Sequence, residues 1–136
     1  MPALCTYDYA IVRVVPHVER GEFVNAGVIV ACASKGFLKA RVDLDATRLL
    51  TLDPAADLVS IQTALSAIPV ICAGGQAAGP IGRLSVRERF DWLVAPRSTS
   101  IQVSPVHSGR GPDLDSALER LMGKMVQRPG GAIAEP

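Results

Sequence analysis

The sequence predicts an α+β fold, an antiparallel sheet of about four strands with helices mainly on one face. Three observations predict it. The first third of the chain holds three runs rich in β-branched and aromatic residues, joined by short polar connections. The remainder carries apolar residues at helical spacing behind capping residues. The run 23–32 is apolar on both alternating faces, so it needs cover on both sides or a central place in the sheet.

The first strand spans 7–15 and stops at Pro16. A polar connection, 16–21, leads to the central strand. Simple alternation places Phe23, Gly27, Ile29 and Ala31 on one face of that strand, and Val24, Ala26, Val28, Val30 and Cys32 on the other. Asn25 is the polar exception, and its amide requires partners if buried. Gly36 supplies a positive φ for a tight turn into the third strand, 37–43, with Lys39, Arg41 and Asp43 on the wetter face. Short connections make these three strands an antiparallel meander.

A short turn is expected at 46–52. Asp53 is the expected N-cap and Pro54 the first residue of a helix whose stripe is Leu58, Ile61, Leu65 and Ile68, and which Pro69 should end or kink. The glycine-rich middle, 73–82, reads as a flexible linker or lid rather than a phosphate cradle, since it lacks both Gly-Lys-Ser/Thr and GxGxxG. Ser85 and Glu88 form a capping box opening a short helix that Pro96 ends. Residues 98–106 read as the last strand and 107–112 as a loop. The final helix, 113–126, has the stripe Leu114, Leu118, Leu121 and Met125, with acids early and bases late as the helix dipole favours. The order is β-β-β-α-α-β-α. Residues 1–127 form one domain, and 128–136 are expected to be a disordered tail.

With 136 residues the chain fits one domain with one real core. A net charge of +1 gives no global reason to expect nucleic acid or an anionic membrane. The apolar runs fall short of a membrane span, and no basic segment followed by an apolar core opens the chain. The expectation is a cytoplasmic bacterial protein. Three widely spaced cysteines, Cys5, Cys32 and Cys72, read as free thiols. With His17 and His107 they lack metal-ligand spacing, so neither metal nor cofactor is expected.

The segments 7–16, 19–30, Gly79-Pro80-Ile81-Gly82 and Ala95-Pro96-Arg97-Ser98-Thr99, together with Ser104-Pro105-Val106-His107, resemble the bacterial family called domain of unknown function 3037. The likeness runs in order over residues 5–127. It implies a short single-domain bacterial protein and brings with it no activity, cofactor or catalytic residue. It also brings an association with kinases similar to the HipA toxin.

Arg13 stands inside an apolar strand, where a charge is costly unless paired. With Asn25 opposite, Arg13, Glu22 and Asn25 would form a polar cluster suited to a carboxylate or other anion; a one-residue slip would dissolve it. The plainer alternatives are a structural Arg13–Glu22 pair or an arginine on a solvated edge. Residues 83–110 hold five arginines against Glu88 and Asp91. There, Arg97-Ser98-Thr99 offers a guanidinium fork beside two hydroxyls, suited to phosphate or carboxylate, the alternative being a solvated basic face. Sparse aromatic residues weaken a nucleic-acid reading. His107 has serines nearby but no carboxylate in the sequence pattern to orient its ring.

Two functions follow. The first is a non-enzymatic interaction or adaptor domain for a separately encoded protein, with a HipA-like kinase as the partner the resemblance brings forward. The second is a small-molecule or enzyme site for a phosphorylated or carboxylated ligand, lined by Arg13, Glu22, Asn25, Arg97, Ser98, Thr99 and His107. A homodimer that buries the second face of the sheet is a further expectation.

Overall fold

The computed structural model describes residues 4–129. Its strands are β1 (Cys5–Val14), β2 (Val24–Cys32), β3 (Phe37–Val42), β4 (Ile101–Val103) and β5 (His107–Gly111). Its helices are α1 (Ala46–Leu52), α2 (Leu58–Ala73), α3 (Val86–Val94) and α4 (Leu114–Leu121), the last continued by a π-helical turn (Met122–Val126). All pairings are antiparallel. The order β3-β2-β1 continues to β4 alongside the C-terminal half of β1 and to β5 alongside its N-terminal half. The predicted α+β class and meander hold.

β1 is therefore bonded on both edges. One face packs Val12, Val14, Val24, Ile29 and Leu38 against Leu49 of α1, Leu65, Ile68 and Cys72 of α2, and Phe90 and Leu93 of α3. The other packs Tyr7, Ile11, Val28 and Val30 against Leu114, Leu118, Leu121 and Met122. Three helices cover one face and α4 covers the other, so the apolar second face is closed within the chain. The side of β3 expected to be wetter meets α4, where Lys39 pairs with Asp115 at 2.7 Å and Arg41 with Glu119.

Simple alternation fails in β2. Opposite Val12 and Arg13 the register runs Gly27 then Asn25, so Ala26 is an extra residue, a β-bulge. Val24 and Ala26 consequently share a core with Ile29 and Ala31, while Val28, Val30 and Cys32 face α4. Next to the bulge, Gly27 lets β3 approach: a Cβ there would lie 2.6 Å from the carbonyl oxygen of Arg41.

The edge formed by β4 and β5 is interrupted at Pro105, which has no N–H. Ser104 carries the ladder across the break. Its N–H donates to the Ile11 carbonyl at 2.9 Å, and its hydroxyl oxygen accepts from the Ile11 N–H at 2.9 Å. Beyond the break, residues 107–111 are a strand, not the expected loop, and β4 is only three residues long. Gly109 makes β5 possible, because the Tyr7 ring lies where its Cβ would stand.

Other local expectations also change. Residues 46–52 form a helix capped by Asp45, and Asp53 ends it. The N-cap of α2 is Asp57 instead of Asp53, because Asp57 accepts both the N–H and the hydroxyl of Ser60. α2 runs through Pro69 to Ala73; burial of Ile68 and Cys72 offsets the single backbone bond that proline removes. The glycine-rich stretch holds 3₁₀ turns (Gln76–Arg83), and Gly82 packs so closely on Gly75 that a Cβ would fall 2.0 Å from its carbonyl oxygen. The capping box of α3 is present as expected.

Past the π-helical turn, Arg128 returns to the start of α1. Its Nη2 donates to Asp45 Oδ1 at 2.9 Å, and Asp45 also accepts from the Arg48 N–H. The Arg128 guanidinium is the main reason that the Asp45 carboxyl falls from its ordinary 3.8 to about 2. The expected disordered tail otherwise lies mainly outside the described residues.

Two measurements test these contacts. Ser104→Ala orphans a buried N–H, so chemical denaturation should show a loss of about 1–3 kcal/mol. Asp45 has its pKa depressed by folding, so its contribution is complete above the ordinary carboxylate pKa. That contribution is lost as pH falls from about 4 through about 2. In Arg128→Ala, NMR titration of Asp45 should move toward its ordinary value, and stability should become less sensitive to acid across that window.

Candidate functional site

Arg13 and Asn25 are directly opposed across β1 and β2. Alternation along β1 sets Arg13 on the α4 face with Tyr7 and Ile11, and the bulge in β2 brings Asn25 to the same face. The Arg13 guanidinium stacks on Phe23, with Cζ 4.2 Å from the ring centroid. Asn25 Nδ2 donates to the Met125 carbonyl at 2.9 Å. Arg13 Nε and Asn25 Oδ1 are both buried and have no hydrogen-bond partner. Glu22 stays apart from them: it is exposed and pairs with Arg20 at 2.7 Å, which holds its carboxyl below the usual range.

Arg97 lies elsewhere. Its guanidinium sits 4.6 Å from the Trp92 ring and donates to the carbonyls of Trp92, Leu93 and Ala95, closing the end of α3. Three of its N–H contacts thus serve the backbone. Ser98 is exposed, and the Thr99 hydroxyl donates to the Ile101 carbonyl. His107 stacks against Tyr9, its cross-strand neighbour, at 5.5 Å. The Ser108 hydroxyl next to it donates to Asp8. The seven residues therefore fall into separate groups: Arg13 with Asn25, Glu22 with Arg20, Arg97 with the end of α3, Ser98 and Thr99 in the exposed stretch before β4, and His107 with β1.

The arginine-rich segment is likewise divided. Arg87 pairs with Asp8 and Asp91, and Arg89 donates to the carbonyls of Leu84 and Cys72. Burial pushes the Cys72 thiol up to about 12, which makes it a neutral core group. Among the described residues, no group of three His, Cys, Asp or Glu side chains is placed to hold a metal ion. No single helix there is long and apolar enough to cross a membrane.

A groove of about 660 Å³ opens along α2. Ser60, Ala64, Ala67 and Ile71, at helical spacing, line it on one side; Trp92, Ile101 and Val103 line it from α3 and β4. Asp53, Asp57 and Arg97 bring charge to its lining. α2 has no charged residue along its length, although Val59 is 78% exposed. Sequence reasoning found the buried stripe of α2 and missed this one. The available signal was a long helix without a charged residue, in which Ser60, Ala64, Ala67 and Ile71 make a second stripe of small and apolar residues at helical spacing.

A comparison with curated proteins and another with solved structures each gave no match. The model of the family described as "Protein of unknown function (DUF3037)" matches residues 9–126, most of the chain. The segments that carry the resemblance supply both β1 with Arg13 and the strand break at Ser104, and the chain belongs to the DUF3037 family.

Proposed function

We propose that the protein is a non-enzymatic interaction domain that docks an apolar segment of a separately encoded protein in the groove along α2. The observation that carries this is the charge-free, partly exposed α2 facing an open apolar trough. A solvated helix ordinarily bears charge on its outer face, and a sizeable apolar surface marks a contact. From Ser60 to Ile71 the helix runs for about 17 Å, room for roughly three turns of a partner helix. Small side chains at Ala64 and Ala67 let a partner approach closely. The acids at the leading end of α2, Asp53 and Asp57, favour an occupant with a flanking lysine or arginine, and they disfavour an anionic lipid surface.

The dispersal of the polar residues supports a docking role over catalysis, which needs convergent groups. A HipA-like kinase is the partner brought forward by the family resemblance, and its own segments are the first to try.

Selection of displayed peptides on the full chain tests the proposal. Enriched peptides should combine an apolar core with a flanking lysine or arginine. In fluorescence anisotropy, Ala67→Glu should weaken their binding at least about tenfold. The position is solvent-exposed, so the melting temperature should change little. Peptide binding indifferent to Ala67→Glu would overturn the groove, and vesicle binding abolished by that change would assign the surface to a membrane instead.

A further inference from the structure

Arg13 and Asn25 form a second place, on the opposite face of the sheet and independent of the groove. A guanidinium has five N–H donors. Among the described residues the Nε–H of Arg13 is buried without an acceptor and no carboxylate pairs with the guanidinium, which lies over the Phe23 ring. Asn25 is held in one orientation, since exchanging its amide atoms would set Oδ1 against the Met125 carbonyl. Its Oδ1 therefore remains a buried acceptor without a donor.

An unsatisfied donor and an unsatisfied acceptor thus stand side by side in one cross-strand pair. A buried polar atom left without a partner is destabilising. Nothing within the described residues offsets this. A planar carboxylate matches a guanidinium in a bidentate arrangement. A donor on the carbon beside that carboxylate matches Asn25 Oδ1. Phe23, 42% exposed, adds an apolar wall. We infer that Arg13, Asn25 and Phe23 bind a carboxylate that bears an N–H or O–H on the adjacent carbon. Both a free N-acyl amino acid and the C-terminus of a polypeptide present this chemistry. A fully ionised phosphate meets Arg13 but offers Asn25 no donor.

NMR titration of the ¹⁵N-labelled full chain tests the site. N-acetylglycine should shift the Asn25 side-chain amide and the Arg13 Nε–H with a Kd of about 1 mM or tighter, and propionate, which lacks the donor, should bind about tenfold more weakly. Arg13→Met keeps an alkyl chain on Phe23 and removes the unpaired charge. It should abolish the shifts while melting at or above the wild-type temperature. A short peptide with a free C-terminus that binds more tightly than N-acetylglycine, and loses binding on C-terminal amidation, assigns the polypeptide source; the reverse order assigns the free acid. Several results would overturn the inference. One is the absence of shifts with both N-acetylglycine and the peptide. Another is propionate, or methyl phosphate as its dianion, binding as tightly as N-acetylglycine. The third is an Arg13→Met variant that melts well below wild type, which would make Arg13 a structural residue.

Discussion

The bulge at Ala26 is the constraint on which the rest of the sheet depends. Strands alternate with a period of two, so an uninterrupted β2 in register with β1 at Ile11–Val28 would oppose Asn25 to Val14. Its amide would then point into the core shared with Leu65 and Phe90. One extra residue returns Val24 to that core and sets Asn25 beside Arg13 on the other side. Gly27 lets the bulged strand keep its pairing with β3, where a Cβ would strike the backbone. A single local irregularity thus decides which face is wholly apolar and which carries the polar pair.

Around that sheet the two faces are held in different ways. The face of α1, α2 and α3 is joined by apolar burial, with Leu49, Leu65 and Phe90 almost fully enclosed. The α4 face combines apolar burial with links at its margin: Arg120 donates to the Tyr7 hydroxyl at 2.9 Å, and Lys39 and Arg41 reach acids on α4. Exposed ion pairs of this kind contribute about 0–1 kcal/mol each. They orient α4 more than they hold it. Arg128 then ties the end of the chain's described part to the cap of α1, so both helical layers share one closing contact.

The two candidate sites follow from what this arrangement leaves uncovered. α3 and β4 flank α2 without enclosing it, which leaves a charge-free helix facing a trough. On the far face, Asn25 holds the Met125 carbonyl at the end of the π-helical turn, but among the described residues no carboxylate pairs with Arg13 and its buried Nε–H has no acceptor. Arg97, the most suggestive residue of the arginine-rich segment, is instead occupied by carbonyls that every helix end leaves unpaired. Backbone demands met by a side chain are invisible to composition, and for that reason a motif of guanidinium and hydroxyls read as a ligand fork.

Local signals were legible wherever short-range chemistry decides the outcome. The α+β class, the three-stranded meander, the positive φ at Gly36 and the Ser85–Glu88 capping box could all be read from residue type and spacing, because each depends on neighbours within a few positions. The register of Arg13 on Asn25 could be stated only as one of two alternatives. The choice belongs to long-range packing: every polar or apolar side chain in β2 changes face with a shift of one residue, and the core accepts one solution. The same reason explains β5. Glycines at 109 and 111 read as a loop, yet the Tyr7 ring, far away in sequence, fills the space over Gly109 and makes it part of a strand. The sequence by itself determined the α+β class, the first three strands and the capping box of α3, each set by residues close together in the chain. Only the tertiary structure decided which faces meet, because pairing and burial join residues that no local pattern relates.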